Sequence, residues 1–572
     1  MTDGKSSKCT NNVHSVKLLN LSSGEEICYS VVVVEGVIKS NDECMAPMDV
    51  TIEHMNGPLC GPPITVHKIS KNMTFKVLLK LELGMNKFIV NFCTVRKEII
   101  LHFRPRQTNF CVIPVYVICK GHDGRFQAPE CEDNSIESAC ERISTGVHLI
   151  QSLFAERLQK AGYGRLTFQL QSDLDPMAPD CHILYSDVSV EEAHSALAST
   201  LWTWLGREIM LSHFGSKERK YIAFLSSTQY NGNHIRKDTL THEEIVESTK
   251  GYVSLGGGGL ALVGTGCLYT WATSIEEVVP RLLSEVAVDT KLFMDESNYR
   301  GTYGGCYSTT LGAVAHEMGH TFDLGHTAHG IMGPDYHNIH CLLLPEESTL
   351  TCVKAPSKLN LVRDTLLSST KQVKHISSEG EEKYEALVQE LQVVWSVPKS
   401  QLTCENTDLL QHKNPKVIKK FGKQQISEEV GHSKGNRATH TFYTNPDTSG
   451  EALNCLSPIL DRNDISPFWA TSCLSILALH RWFNPNATKE NSGGLTFNKA
   501  KRQITSEYGL GVIEIRDTES LSILHWKFSR ESAHKEFTIP SQYIYPKAET
   551  LWVIDQVGNS MTFDLKKSER ET

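Results

Sequence analysis

One short segment constrains this chain more than any other: Leu311-Gly-Ala-Val-Ala-His316-Glu317-Met318-Gly319-His320-Thr-Phe-Asp323-Leu-Gly325-His326. Two histidines four apart lie on one face of a helix, one above the other. Their imidazoles can hold one Zn²⁺ at about 2.0–2.1 Å each, and a catalytic zinc needs a third protein ligand and an open position. His326 reaches the same ion only if the helix ends and the chain turns back. Asp323 and Gly325 supply the place for that turn. Glu317 sits between the histidines, beside the open position rather than at ligand spacing. The lead-in Leu311, Ala313, Val314 and Ala315 is apolar, so the helix is buried, and buried histidines need partners. By composition alone, two histidines around a Glu at this spacing arise in about one such chain in twenty, and the added His326 lowers that to about one in five hundred. An incidental pattern is therefore the weaker reading.

The chain has 572 residues, enough for three or four domains with cores of their own. It is 40% hydrophobic and 22% charged, which excludes disorder throughout. Lys and Arg number 57 against 66 Asp and Glu, a net charge of −9, so no nucleic-acid partner is expected. No apolar run reaches 18 residues, so no membrane span is expected. No apolar stretch follows Met1–Lys8, which predicts no secretory leader. The 17 cysteines are scattered, without a CxxC pair. A cytoplasmic protein with reduced thiols is the expectation. The glycosylation triplets at Asn20, Asn72 and Asn486 then carry no meaning.

The predicted architecture is α+β and multidomain. Residues 1–108 show short apolar or β-branched runs between Gly, Pro and Asn, the pattern of an antiparallel β-sandwich. From residue 109 a buried strand, Val112–Cys119, precedes a helix over Ile136–Ala161 with a stripe at Ile143, Val147, Ile150 and Leu153. A capping box at Ser189-Val-Glu-Glu192 opens another helix. Tyr221–Leu225 is a further strand, so residues 109–485 carry an α/β layer. Within them 354–449 turns polar and reads as a partly disordered insertion, apart from a helix over Glu382–Val394. Ser466-Pro467 caps a last helix running to about 483. Residues 494–572 alternate again as an all-β module. The glycine-rich Leu255–Leu268 lacks the Lys-Ser/Thr of a phosphate loop, and a glycine-rich edge strand fits it better.

The HExxHxxxxxH pattern followed by Met332, in Gly330-Ile-Met-Gly-Pro334, resembles the metzincin clan of zinc metallopeptidases. The resemblance implies one catalytic Zn²⁺ on His316, His320 and His326, with Met332 on a turn beneath it. It implies that a zinc-activated water attacks a peptide bond with Glu317 as general base, on a peptide or protein substrate. It also implies an edge strand that pairs with substrate, here Gly259, Leu260, Ala261 and Leu262. The whole chain resembles a eukaryotic family of proteins described as zinc metalloproteinases. Some members end in a jacalin-like lectin domain, so residues 494–572 carry the expectation of carbohydrate binding. Metzincins place a glycine of positive φ where this chain has Asp323, and Asp tolerates that region better than most residues. No propeptide with a cysteine switch is visible. His329, His337 and His340 read as surface or supporting groups, and Tyr336 is left out of the site. The alternatives are a weak or inactive metzincin-fold scaffold, or a carbohydrate- or protein-binding chain acting through its β modules.

Overall fold

In the computed structural model, residues 14–39, 49–55, 64–233, 240–345, 451–454, 469–486, 494–530, 534–541 and 548–566 are described. The predicted insertion, its helix and the Ser466-Pro467 cap lie outside them. The described chain is a mixed α+β fold with several sheets. No helix among these residues is long and apolar enough to cross a membrane.

The amino-terminal strands form two facing sheets. One runs Ser15–Leu18, Val31–Lys39, Thr74–Lys80, all antiparallel. The other runs Glu25–Ile27, Val95–Phe103, Gly84–Phe92, Asp49–His54, Ile64–Lys68. Val32, Val34, Phe75 and Val77 from the first meet Val50, Ile52, Phe88 and Ile99 from the second in one core. The run Val31-Val-Val-Val34 is β-branched throughout because both its faces are buried. Val31 and Val33 point the other way, into the core of the central unit. The Asn20 amide donates to the Val33 carbonyl at 2.7 Å and to Glu156 at 2.9 Å, so it is engaged inside the fold.

The central sheet is parallel with one antiparallel edge. Cys111–Lys120 pairs with Gln169–Leu170 and His182–Ser189 on one side and with Arg219–Leu225 on the other. Arg219–Leu225 pairs with Leu260–Gly264, which pairs antiparallel with Ser254–Gly257. The helix Ala198–Leu211 covers one face through Leu201, Trp202, Leu205 and Ile209. The other face carries the helix Ile136–Lys160 and the motif helix Tyr303–Thr321. Ser135 caps the first of these by accepting the Ser138 N–H. Burial on both faces explains the continuous apolar strands.

The expected substrate edge needs correcting. Leu260, Ala261 and Leu262 lie in a strand paired on both sides and fully buried, and Gly259 precedes it in a turn. The glycine run folds back as a tight hairpin, with Gly258 at φ 52°, so the outermost strand of the sheet is the half-buried Ser254–Gly257.

The carboxy-terminal strands also form two sheets sharing a core, among them Ile504, Ile513, Trp526 and Val553. The larger sheet runs Glu451–Asn454, Ser522–Lys527, Leu510–Arg516, Thr550–Asp555, Ser560–Asp564. Its first strand comes from upstream of the last helix, so this sheet is not confined to residues 494–572. That helix, Thr471–Leu479, packs Ile476 and Leu477 into a core that also takes Val512, Trp552 and Ile554 from the sheet.

Candidate metal centre

The motif helix starts at Thr302, whose hydroxyl accepts the Gly305 N–H. It stops where the chain enters the left-handed region at Asp323, φ 64°. The Asp323 N–H donates to the His320 carbonyl and the Leu324 N–H to the Gly319 carbonyl, both 3.1 Å. That pair of bonds is a Schellman ending, usually made with glycine. A non-glycine residue in this conformation costs about 1–3 kcal/mol, with Asp at the low end. Surrounding contacts fix it. The Asp323 carbonyl accepts from Arg516 at 2.7 Å, and its carboxylate accepts from Ser560 at 3.2 Å. The buried Lys220 ammonium donates to the Thr321 and Gly258 carbonyls, tying the helix end to the glycine hairpin. Burial lowers its pKa to about 8.

The ending brings His326 back to the two helical histidines. One ring nitrogen from each of His316, His320 and His326 lies within 4.8 Å of the others. His320 Nε2 is 3.0 Å from His316 Nε2 and 3.2 Å from His326 Nε2. Each Nδ1 faces a backbone carbonyl: Ile331 at 2.7 Å, Leu324 at 2.9 Å and Glu519 at 2.8 Å. A carbonyl only accepts, so each Nδ1 carries the proton. Burial pushes the His316 pKa down to about 3, and the other two are also lowered by burial first. Three neutral rings therefore aim three Nε2 lone pairs at one point, with no proton to share among them. Such a convergence is repulsive unless a cation sits there. Three imidazoles whose other nitrogens are held by carbonyls are the donor set of a zinc ion. The residues present fit that ion.

Glu317 lies on the same helix and is 6% exposed. Its carboxylate accepts the Ser254 hydroxyl at 3.0 Å and a backbone N–H of Gly256. Burial outweighs these bonds and raises its pKa to about 7. The edge strand thus orients Glu317. A Cβ at Gly256 would lie 2.0 Å from the Glu317 carbonyl oxygen, so the strand can approach the helix only without a side chain there. A cavity opens beside Glu317 and His316. It is lined mostly by apolar groups, including Phe224, Val263, Trp271, Met294 and Val314, with Tyr336 also on its wall.

Met332 is fully buried on the turn after His326. A Cβ at Gly319 would lie 2.3 Å from its sulfur, so the methionine packs directly beneath the helix between the two histidines. The next residue back, Ile331, supplies the carbonyl that holds His316. Gly319→Ala is expected to force this turn away. The overpacking costs about 1–3 kcal/mol, read as a lower melting temperature with weaker zinc binding. An unchanged melt would contradict the contact.

The structure thus brings His316, His320, His326, Glu317 and Met332 together and moves Leu260, Ala261 and Leu262 into the sheet. His329, His337 and His340 lie outside the three-histidine cluster, and His340 hydrogen-bonds Ser308. Sequence reasoning missed Ser254, Gly256, Gly319, Tyr336, Arg516 and the Glu519 carbonyl. Two of these had a local signal: Gly319, a helix-interior glycine, and Gly256, in the glycine run, both of which mark a close approach.

Comparison with known proteins places the chain in a family. Residues 15–397, 383 of the 572, match the model of the family described as "Putative peptidase family", and the chain belongs to it. A protein of Schizosaccharomyces pombe named "Putative zinc metalloproteinase" is 23% identical over 359 residues, 59% of this chain and 55% of its own. One of Saccharomyces cerevisiae with the same description is 26% identical over 370 residues, 58% of this chain and 49% of its own. The chain thus spans about half the length of each relative. The family match ends before the carboxy-terminal sheets. No solved structure matches.

Proposed function

We propose that this chain is a zinc-dependent endopeptidase of the metzincin type, with His316, His320 and His326 holding one Zn²⁺ and Glu317 acting as general base. The observation that carries this reading is the convergence of three unprotonated Nε2 atoms next to a buried carboxylate. The names of the family and of the two relatives support zinc and a peptide bond.

Bound zinc would supply Lewis acidity, polarising a carbonyl and lowering the pKa of a coordinated water. The chain's own residues do the rest. Glu317, buried on the helix between His316 and His320, takes the proton of the attacking water and returns it to the departing amine. Ser254 and Gly256 keep its carboxylate aimed. Ile331, Leu324 and Glu519 hold the imidazoles in one tautomer, which keeps each Nε2 free to bind. Met332 props the helix from below. The apolar cavity beside Glu317 accepts a side chain of the substrate.

The test is zinc content and cleavage of an unfolded protein substrate by the full chain. Cleavage that chelation stops and added zinc restores supports the reading. Stoichiometric zinc without cleavage of any peptide library would favour the scaffold reading instead.

A further inference from the structure

The third histidine is held from a distant part of the chain. His326 pairs with the carboxy-terminal sheet: its N–H donates to the Ser520 carbonyl and its carbonyl accepts the Ser522 N–H, both 2.9 Å. Its Nδ1–H donates to the Glu519 carbonyl, 193 residues onward. Glu519 and Ser520 lie on the turn between the strands Leu510–Arg516 and Ser522–Lys527, and Ser522 opens the second strand. The turn is well braced. The Asp517 carboxylate accepts the Glu519 N–H at 2.8 Å and the Leu521 N–H at 2.9 Å, and Ser520 sits at φ 58°.

Arg516 makes a second tie. Its Nε donates to Glu514 at 2.7 Å, its other end donates to the Asp323 carbonyl at 2.7 Å, and its guanidinium lies 5.0 Å from the Trp552 ring centre. Glu514 is 1% exposed and also accepts the Ser522 hydroxyl. A buried carboxylate that spends its acceptors on Arg516 and Ser522 fixes both sides of the turn at once. Gly325 leaves the room: a Cβ there would lie 2.7 Å from the Ser520 carbonyl and 2.8 Å from Arg516 Nε.

From these contacts we infer that the carboxy-terminal sheet is a built-in part of the metal centre, with Arg516 and the Asp517–Leu521 turn acting as positioning residues for His326. The helical histidines are set by the helix itself. The third ligand lies past the helix end at Asp323, and its own backbone N–H and C=O and its Nδ1–H are all taken by residues beyond 510. Loss of a carbonyl or its brace behind a metal-bound histidine typically weakens metal binding by about 10–100-fold. The inference rests on the zinc reading only in that His326 binds the ion.

The test uses the full chain and the metal alone. Zinc affinity is measured by competition with a chromophoric chelator, and Co²⁺ is loaded as a spectroscopic probe of the ligand set. Wild type is compared with Arg516→Ala, Arg516→Lys and Asp517→Ala. Arg516→Ala is expected to weaken zinc binding about 10–100-fold and to change the Co²⁺ absorption bands. Arg516→Lys, which can still reach the Asp323 carbonyl, should restore part of the affinity. If Arg516→Ala fails to fold, Asp517→Ala decides, since it loosens the Glu519 carbonyl without removing the buried guanidinium. Wild-type affinity and an unchanged Co²⁺ spectrum in a folded variant would overturn the inference. Absence of zinc or Co²⁺ binding by the wild type would overturn the zinc reading itself, a distinct failure.

Discussion

Glu317→Gln is expected to lower kcat by about 10²–10⁴-fold and leave zinc content at the wild-type level. Glutamine keeps the size of the side chain and an oxygen that still accepts the Ser254 hydroxyl. It cannot take a proton. The loss corresponds to about 3–5 kcal/mol of barrier. Zinc is retained because the three ligating nitrogens and their carbonyl partners are untouched. Parallel measurement of kcat and bound zinc separates the roles. A kcat within a few-fold of wild type would show that Glu317 is not the base. Loss of zinc in step with activity would make it part of the ligand set.

His320→Ala is expected to abolish stoichiometric zinc binding and all zinc-dependent cleavage. His320 is the central ring of the three, with its Nε2 within 3.2 Å of both others. Its removal leaves two ligands that no longer surround a point. Zinc binding also stabilises the folded chain, by about 2.7 kcal/mol when free zinc stands 100-fold above Kd. Thermal melts with and without zinc should therefore separate for the wild type and coincide for the variant. A zinc-dependent rise in the melting temperature of His320→Ala would place the ion elsewhere.

The helical part of this site was legible in the sequence because a helix fixes which residues share a face. Two histidines four apart, a Glu between them and an apolar lead-in leave little freedom. The turn at Asp323 was legible for a related reason. A third ligand six residues on requires the helix to break, and the metzincin resemblance puts a residue of positive φ at Asp323, where φ is 64°. The edge strand was placed wrongly because four consecutive glycines, Gly256–Gly259, do not reveal where a hairpin folds. The apolar Leu260-Ala-Leu-Val263 that follows is as compatible with an interior strand as with an edge. What the sequence could not show is the bond from His326 to Glu519. No local pattern in the residues around 516–522 marks them as partners of a turn nearly two hundred residues earlier. Only the pairing of His326 with Leu521 does.

In the proposed reading, His316, His320 and His326 hold one zinc that the chain uses to cut peptide bonds. The most direct measurement is elemental analysis of the purified full chain, made on the same sample as cleavage of an unfolded protein substrate. One zinc per chain is expected, with cleavage that disappears on chelation and returns with zinc. No zinc at stoichiometric level, or cleavage indifferent to its removal, would contradict it.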